Sequence, residues 1–557
     1  PSHLNQVAWD PMRTPFVVAD FNLRAPMEKM DVVLQDGKTG KDLGLVGTIN
    51  LDYAYDNVDY GLYAFNGAYY EFTGNSKQPI SEEASYVKKP GHYKLKFIGT
   101  GTSGKVTTET QHLLIDLDAP SFKSSLDGKS PFIEYKPGQE TYPFDIQITD
   151  PTIDELKKLG VNIDQSSNSM VYYWGQGGFP STPIPMDKAG KFVEEIALDE
   201  SIPALQFRMN GYDMAGNKPA SKQYYFVKEG TPVAYAIGEK YEVKTGDTVK
   251  ATLSLDNLNA VSKAEWNFNG DGGYDRGLDS VELVDAKLHS EFSDKASLTI
   301  KDKVVTVQFN EESKALDHAK VVEVTLKVQD DQYTLGAAIN PTVSVMNANN
   351  QTSSVLKAGY SWKVNPQFSM ARGYVTPQGF ENEDGTVTEK RDWSKVGGTV
   401  KIFDSKENEF DATTRVEDDG QYVFNKLPLS TNAFTIEMKA PGHFVTKEKL
   451  NSGIGFEHNG ELYGQNRWIP ALDITAGDVN QDHVIDVLDA IEIQNAWKTK
   501  KRAADITFDG IVDAKDMKYV QTNYLKQNEH VDNAPKPKKK YKGKTLESIL
   551  VELGIQP

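Results

Sequence analysis

Apolar and polar residues alternate in short runs along most of the chain. Between residue 13 and about 232 the period is two, broken by turn clusters. PFVVADFNLRA (15–25), YEFTG (70–74), HYKLKFIG (92–99) and QFRMNGYD (206–213) read as strands. From 233 to about 366 the same pattern continues in VKTGDTVKATLSLDN (243–257), AEWNFNGD (264–271), VVTVQFN (304–310) and VVEVTLKVQD (321–330). Alternation such as V-E-V-T-L-K-V turns one face of its strand inward. A further small β unit is predicted around GTVKIFD (398–404), DDGQYVF (418–424) and the strand that ends in APGHF (440–444). Near the C-terminus the period changes. Leu546, Ile549, Leu550 and Leu553 in TLESILVELG (545–554) fall at i, i+3, i+4 and i+7, one apolar face of a helix. The expected fold class is mainly β, with tandem β-sandwich modules followed by a small α-helical module.

Composition sharpens this picture. At 557 residues the chain is too long for one core and predicts roughly four or five domains of ~100–150 residues. A net charge of −18 argues against nucleic acid as a partner, since a phosphate backbone would be repelled. The same charge suits a hard divalent cation. There are no cysteines, which removes thiol nucleophiles, Cys-ligated zinc and disulfides together. No apolar run reaches the ~20 residues that span a bilayer. The opening PSHLNQVAWDPM lacks a basic region followed by an apolar stretch, so no signal peptide is expected in this chain. It is either cytosolic or an excised piece of a longer exported protein.

The acidic residues concentrate in GDVNQDHVIDVLDA (477–490). With Asp478 as loop position 1, Asn480 is position 3, Asp482 position 5, Val484 position 7, Asp486 position 9 and Asp489 position 12. These are the ligand positions of an EF-hand-type Ca2+ loop, with position 7 offering its carbonyl and position 9 commonly acting through water. The spacing recurs 27 residues on: Asp505, Thr507, Asp509, Ile511, Asp513 and Asp516 occupy the same six positions. An Asp-rich N-cap before each helix explains one or two carboxylates per site, not this set twice. Two Ca2+ ions are therefore expected. Clustered carboxylates repel without metal, so folding should be coupled to Ca2+. His483 stands at position 6 of the first loop, where Gly is usual, and predicts a strained turn. Gly510 fills that position in the second.

Asp at position 12 of both loops, and ALDITAG before Asp478 reading as a strand end with no entering helix, resemble a dockerin, the duplicated loop–helix module that binds cohesins. Partner contacts in many dockerins come from positions 10 and 11. Here these are Val487-Leu488 and Ala514-Lys515, which lack a Ser-Thr pair and do not match each other, so partner choice and two-fold binding symmetry are open. Other stretches carry further resemblances. The DAP start (118–120) and the D-x-AGN hairpin in GYDMAGNKPASKQYYFV (211–227) resemble the Ig-like or fibronectin-III-like domains that follow the catalytic domain of bacterial subtilisin-like cell-envelope proteases. The strand order of 233–366 resembles a cohesin module. The unit around 398–444 resembles the prealbumin-like fold of carboxypeptidase regulatory domains, which also occurs as the X module before a dockerin. The expected modules are 1–117 and 118–232 as Ig/fibronectin-III-like sandwiches, 233–366 cohesin-like, 367–472 the X module, 473–530 the dockerin-like double loop, and 531–557 a Lys/Pro linker with a short helix.

No catalytic site is expected in this chain. GTSGK (101–105) superficially resembles the G-T-S-M-A nucleophile segment of subtilisins, but Met-Ala is missing and the stretch falls at a hairpin turn. No G-x-S-x-G, H-E-x-x-H or phosphate-cradling Gly loop occurs. The nine His are scattered, and His443 reads as a turn residue rather than a base. The resemblances together imply the non-catalytic C-terminal region of a secreted subtilisin-like serine peptidase, extracellular or cell-wall associated. Its work would be spacing, presentation, and Ca2+-dependent docking of the dockerin on its own cohesin-like module or that of another chain. The Lys run at 536–544 is read as a solvated linker or a contact for cell-wall polymer. Two other classes stay open: an adhesin or scaffold fragment with no peptidase, and a polysaccharide-associated enzyme component.

Overall fold

The computed structural model describes residues 27–50 and 91–556, apart from 117, 159, 161, 175–181, 214–216, 381–391, 411–413, 451–452, 459 and 470–471. It also describes the backbone of strands 8–9, 16–22, 59–65 and 69–73. The chain is mostly β and divides into two compact units, Pro1–Gln367 and Phe368–Pro557.

The first unit is a series of sheets. Gly91–Gly101 pairs antiparallel with Met27–Asp36 on one side and Val106–Ile115 on the other. GTSGK is the turn of the latter hairpin: the Gly101 N–H reaches the Lys105 carbonyl at 2.9 Å. A second sandwich follows. Leu205–Tyr212 pairs with Ser169–Trp174 and Lys222–Lys228, and Thr141–Thr149 pairs with Lys191–Ala197 and Ser121–Ser124. Phe144, Phe207 and Phe226 fill the space between its sheets. A single helix, α1 (Pro151–Lys158), follows Thr141–Thr149 and buries Ile153 and Leu156.

Residues 233–366 close around Trp266, Trp362 and Phe268. Thr248–Asp256 lies between Val233–Gly238 and Ala319–Val328, while Lys263–Asn267 lies between Val304–Phe309 and Thr342–Met346. The four runs singled out by alternation are all strands here, and Gly246 makes the tight turn before Thr248 with φ +84°.

The second unit opens with a small two-sheet β domain. Ser369–Pro377 pairs with Gln421–Leu427 and Asn466–Trp468, and Phe434–Lys439 pairs with Thr399–Phe403 and Thr446–Leu450. The short helix α2 (Trp393–Val396) seals one end of its core. The strand Leu472–Ile474 adds in parallel to Val375–Pro377 and leads straight into Asp478. The expected strand end, in place of an entering helix, is what the chain forms. Three helices complete the unit: α3 (Val487–Asn495), α4 (Ala514–Thr522) and α5 (Leu546–Leu553). Their apolar faces meet in one core containing Ile485, Ile493, Met517, Val520, Ile549 and Leu550. Among the described residues, no helix is long and apolar enough to cross a membrane.

A duplicated carboxylate loop

The two Asp-rich loops are built by the same hydrogen bonds. In the first, Asp478 accepts the N–H groups of Asp482 and His483, both at 3.1 Å. In the second, Asp505 accepts those of Asp509 and Gly510, at 3.2 and 3.0 Å. Asp482 accepts the Val484 N–H, and Asp509 that of Ile511, each at 3.2 Å. Position 12 ties each loop to its helix. Asp489 takes the N–H groups of Val479, Asn480 and Asp486, and Asp516 takes those of Thr507 and Asp513. Asp486 and Asp513 are the N-caps of α3 and α4, each in a capping box with the position-12 Asp. The loops are therefore helix-initiating devices whose carboxylates already point inward.

The first loop gathers one carboxylate oxygen each from Asp478, Asp482 and Asp489 within 4.8 Å of one another. Asp478 and Asp489 are 1% and 0% exposed. Among the described residues, none of the three is paired with Lys, Arg or His. Burial, reinforced by the neighbouring carboxylates, pushes Asp478 up to about 7 and Asp489 up to about 8. In the second loop burial, with Asp505 and Asp509 nearby, raises Asp516 to about 6. Both loops offer inward-facing oxygen donors, and in the first their negative charge is uncompensated; such a set fits Ca2+ and does not fit metals that need nitrogen or sulfur.

One detail is as the sequence reading expects, and two depart from it. His483 takes the position-6 turn at φ +72°, so a side chain occupies a conformation that Gly adopts freely; Gly510 does so at +92°. Asp486 is committed to backbone N–H groups, that of Leu488 at 2.8 Å and that of Lys538 at 2.7 Å, and stands outside the converging trio. In the second loop Lys515 Nζ reaches Asp509 Oδ2 at 3.2 Å, an ammonium on a ligand-position carboxylate. Asn480 Nδ2 donates to Asp482 Oδ2 at 3.0 Å, and Thr507 Oγ1 faces Asp505 and Asp516 at 3.4 and 3.3 Å. Val484 lies buried and Ile511 is 37% exposed.

The loops sit on the preceding β domain, at its APGHF turn. The Gly477 N–H reaches the Gly442 carbonyl at 2.8 Å, and Gln481 Nε2 the His443 carbonyl at 3.0 Å. Asn528 Nδ2 donates to the Val445 carbonyl, and Asn523 Nδ2 to Gln378 Oε1. Ile506 packs so close to Gly442 and Gly379 that an added Cβ would stand 2.8 and 2.6 Å from it. His443 is wholly buried. Its Nε2 accepts the Gly379 N–H at 2.9 Å, which fixes Nδ1 as the donor to the Pro441 carbonyl. Desolvation lowers it to about 4, and it serves as a neutral strut, consistent with a turn residue.

The tail closes over one side. Lys538 bonds Asp486 through its N–H and accepts the Val487 N–H through its carbonyl. α5 then lies along α3, where Gln494 bonds Lys544 and Glu552. The Lys536, Lys538, Lys539, Lys540 and Lys542 side chains are exposed, as a solvated run requires, while the backbone between them is pinned. As a result Val487 is buried, whereas Ala514, Lys515 and Lys518 on α4 are exposed.

These features define a calcium-type module made of two successive loop–helix halves. Residues 476–525 match the Dockerin type I domain, a family that binds calcium. No curated protein matches this chain. Solved structures similar to part of it include a cohesin module from a Clostridium perfringens family 33 glycoside hydrolase. That match has 19% identity and a TM-score of 0.20, covering 24% of this chain and 99% of that one. A type I cohesin–dockerin complex from Clostridium thermocellum matches at 14% identity and TM-score 0.19, over 24% and 99% of the two chains. The major pilin subunit of Bacillus cereus matches at 8% identity and TM-score 0.20, over 55% and 94%.

Proposed function

We propose that this chain is a spacer-and-docking region in which the dockerin, ordered by two Ca2+ ions, binds a cohesin-type sheet. The carrying observation is the pair of loops with one hydrogen-bond plan and inward carboxylates. Asp478, Asp482 and Asp489 would hold one ion with Asn480 and the Val484 carbonyl. Asp505, Asp509 and Asp516 would hold the other with Thr507 and the Ile511 carbonyl. Bound Ca2+ supplies the charge that neutralises each shell. The chain's own groups then do the rest: position 12 fixes the helix start, and the APGHF turn holds both halves at a set angle.

The binding face on this reading is α4 with Ile511, Ala514, Lys515 and Lys518, because the tail covers the equivalent start of α3. One face in place of two makes docking single-sided. The partner is the cohesin-like module 233–366, of the same chain or another. The parent on this reading is a secreted subtilisin-like serine peptidase, supported by the resemblance of the DAP start (118–120) and the D-x-AGN sequence, whose residues 214–216 lie outside the described residues, with the region working outside the cell. Lysine-directed cross-linking tests the docking. Links from Lys515 or Lys518 to lysines of 233–366 are expected in Ca2+ and lost in EGTA. Links that are absent in Ca2+, or the same in EGTA, would refute it.

A further inference from the structure

A second group of acidic residues lies within the first unit, Pro1–Gln367. Asp116 follows Val106–Ile115, Asp150 follows Thr141–Thr149, and Asp213 follows Leu205–Tyr212. One carboxylate oxygen from each lies within 4.8 Å of the other two. The three residues are 6%, 3% and 3% exposed. Among the described residues no Lys, Arg or His pairs with Asp150 or Asp213. Burial, with Asp116 adding its charge, raises Asp150 to about 6 and Asp213 to about 7.

Shared protons could hold such a cluster, but a separate atom points to a cation. Asn168 is 4% exposed, and its Oδ1 has no hydrogen-bond donor. Its orientation is not free to flip. The Asp150 N–H donates to Gln165 Oε1 at 2.9 Å, and Gln165 Nε2 donates to the Asp150 carbonyl at 2.9 Å. Those backbone groups fix the Gln165 amide. Its Oε1 also takes Asn168 Nδ2 at 2.9 Å, so Oδ1 is the Asn168 atom left over. Ser169 pairs with Tyr212, which sets Asn168 level with Asp213 on the adjacent strand, and both side chains are buried. A buried amide oxygen beside a buried carboxylate, with no donor between them, is satisfied by a cation.

We propose that Asp116, Asp150, Asp213 and Asn168 Oδ1 form a Ca2+ site in the second sandwich. Oxygen-only donors favour Ca2+ over transition metals. The ligands are already oriented from behind. Thr152 Oγ1 donates to Asp116 Oδ2 at 2.9 Å, the Thr152 N–H donates to Asp150, and Asn217 Nδ2 bonds both Asp213 Oδ2 and the Asp116 carbonyl. Asp116 lies on the link between Val106–Ile115 and the second sandwich. The ion would clamp that link to two loops of the second and stiffen the junction, giving the spacer a calcium-dependent rigidity separate from the dockerin.

The test counts Ca2+ on the full-length chain by native mass spectrometry, after stripping and reloading with Ca2+ alone. The double variant Asp150→Asn/Asp213→Asn should carry one ion fewer than wild type. The variant Asp478→Asn/Asp505→Asn, with the cluster intact, should still hold an ion that the combined variant lacks. Melting gives a second readout: Asp150→Asn/Asp213→Asn should lower the transition of the second sandwich in Ca2+ but not in EGTA. Equal ion counts for wild type and that variant, or no ion on the dockerin-loop variant, would overturn the proposal. Failure of the dockerin reading alone would show as wild type already carrying this ion and no other, with its count unchanged by Asp478→Asn/Asp505→Asn.

Discussion

Asp482→Ala separates a metal ligand from a structural carboxylate. Asp482 is half-exposed and accepts only the Val484 N–H and one Asn480 amide hydrogen. Two such bonds contribute roughly 1–3 kcal/mol net. Their loss is offset in part because Asp482 also repels Asp478 and Asp489, which is one cause of their raised pKa values. In EGTA the variant should therefore cost about 1 kcal/mol or less. In Ca2+ the balance changes. An ion present at about 1,000 times its Kd adds about 4 kcal/mol to the folded form, and removing a ligand forfeits most of it. The expected difference between the two conditions is about 3 kcal/mol, or roughly two decades in the local opening constant. Hydrogen exchange of the full chain at the Asp486 and α3 amides reads that constant directly. Asp489→Ala is the contrasting control. It strands three N–H groups, at about 1–3 kcal/mol each for those that are buried, and should be damaging in both conditions. Equal losses for Asp482→Ala in EGTA and Ca2+ would refute the ligand assignment.

Other predictions follow from the same contacts. Asp478 and Asp489 have raised pKa values in the metal-free fold, so folded protein binds more protons than unfolded protein between about pH 4 and 8. Chelated dockerin should lose stability as pH rises through that window, by about 1.4 kcal/mol for every tenfold by which folding tightens proton binding, while Ca2+ affinity falls as pH drops; denaturation and calcium titrations from pH 5 to 8 check both signs. Lys515→Ala removes the ammonium from Asp509 and should tighten Ca2+ at the second loop about two- to fivefold, read by calorimetry, given that exposed pairs are worth up to ~1 kcal/mol. Ile549→Ala empties a fully buried site beneath α5 and should cost about 2–4 kcal/mol; hydrogen exchange should show α5 and the Lys538 anchor opening together.

Local features of the fold were legible in the sequence. Each Asp-rich loop keeps its carboxylates within twelve residues, so spacing alone singled out Asp478, Asp489, Asp505 and Asp516, which the structure buries in two loops of one hydrogen-bond plan. The alternating runs became strands because period two exposes one face and buries the other, as in Ala319–Val328. The apolar face of α5 was read from four residues, three of which are buried. Features made by tertiary pairing were not legible. Asp116, Asp150 and Asp213 come from three separated strand ends and share no spacing. The tail's hold on Asp486 and Val487 uses the Lys538 backbone, which leaves no mark in side-chain chemistry. The seat of the loops on the APGHF turn depends on Ile506 meeting two glycines, a shape match visible only in three dimensions.

The most direct test of calcium-dependent docking is size-exclusion chromatography with light scattering on the full chain, in Ca2+ and in EGTA. The account predicts a change on chelation. A smaller mass in EGTA means docking between chains, and a larger hydrodynamic radius at constant mass means docking within one. Identical mass and radius, on protein whose ion content is shown to fall, would contradict it.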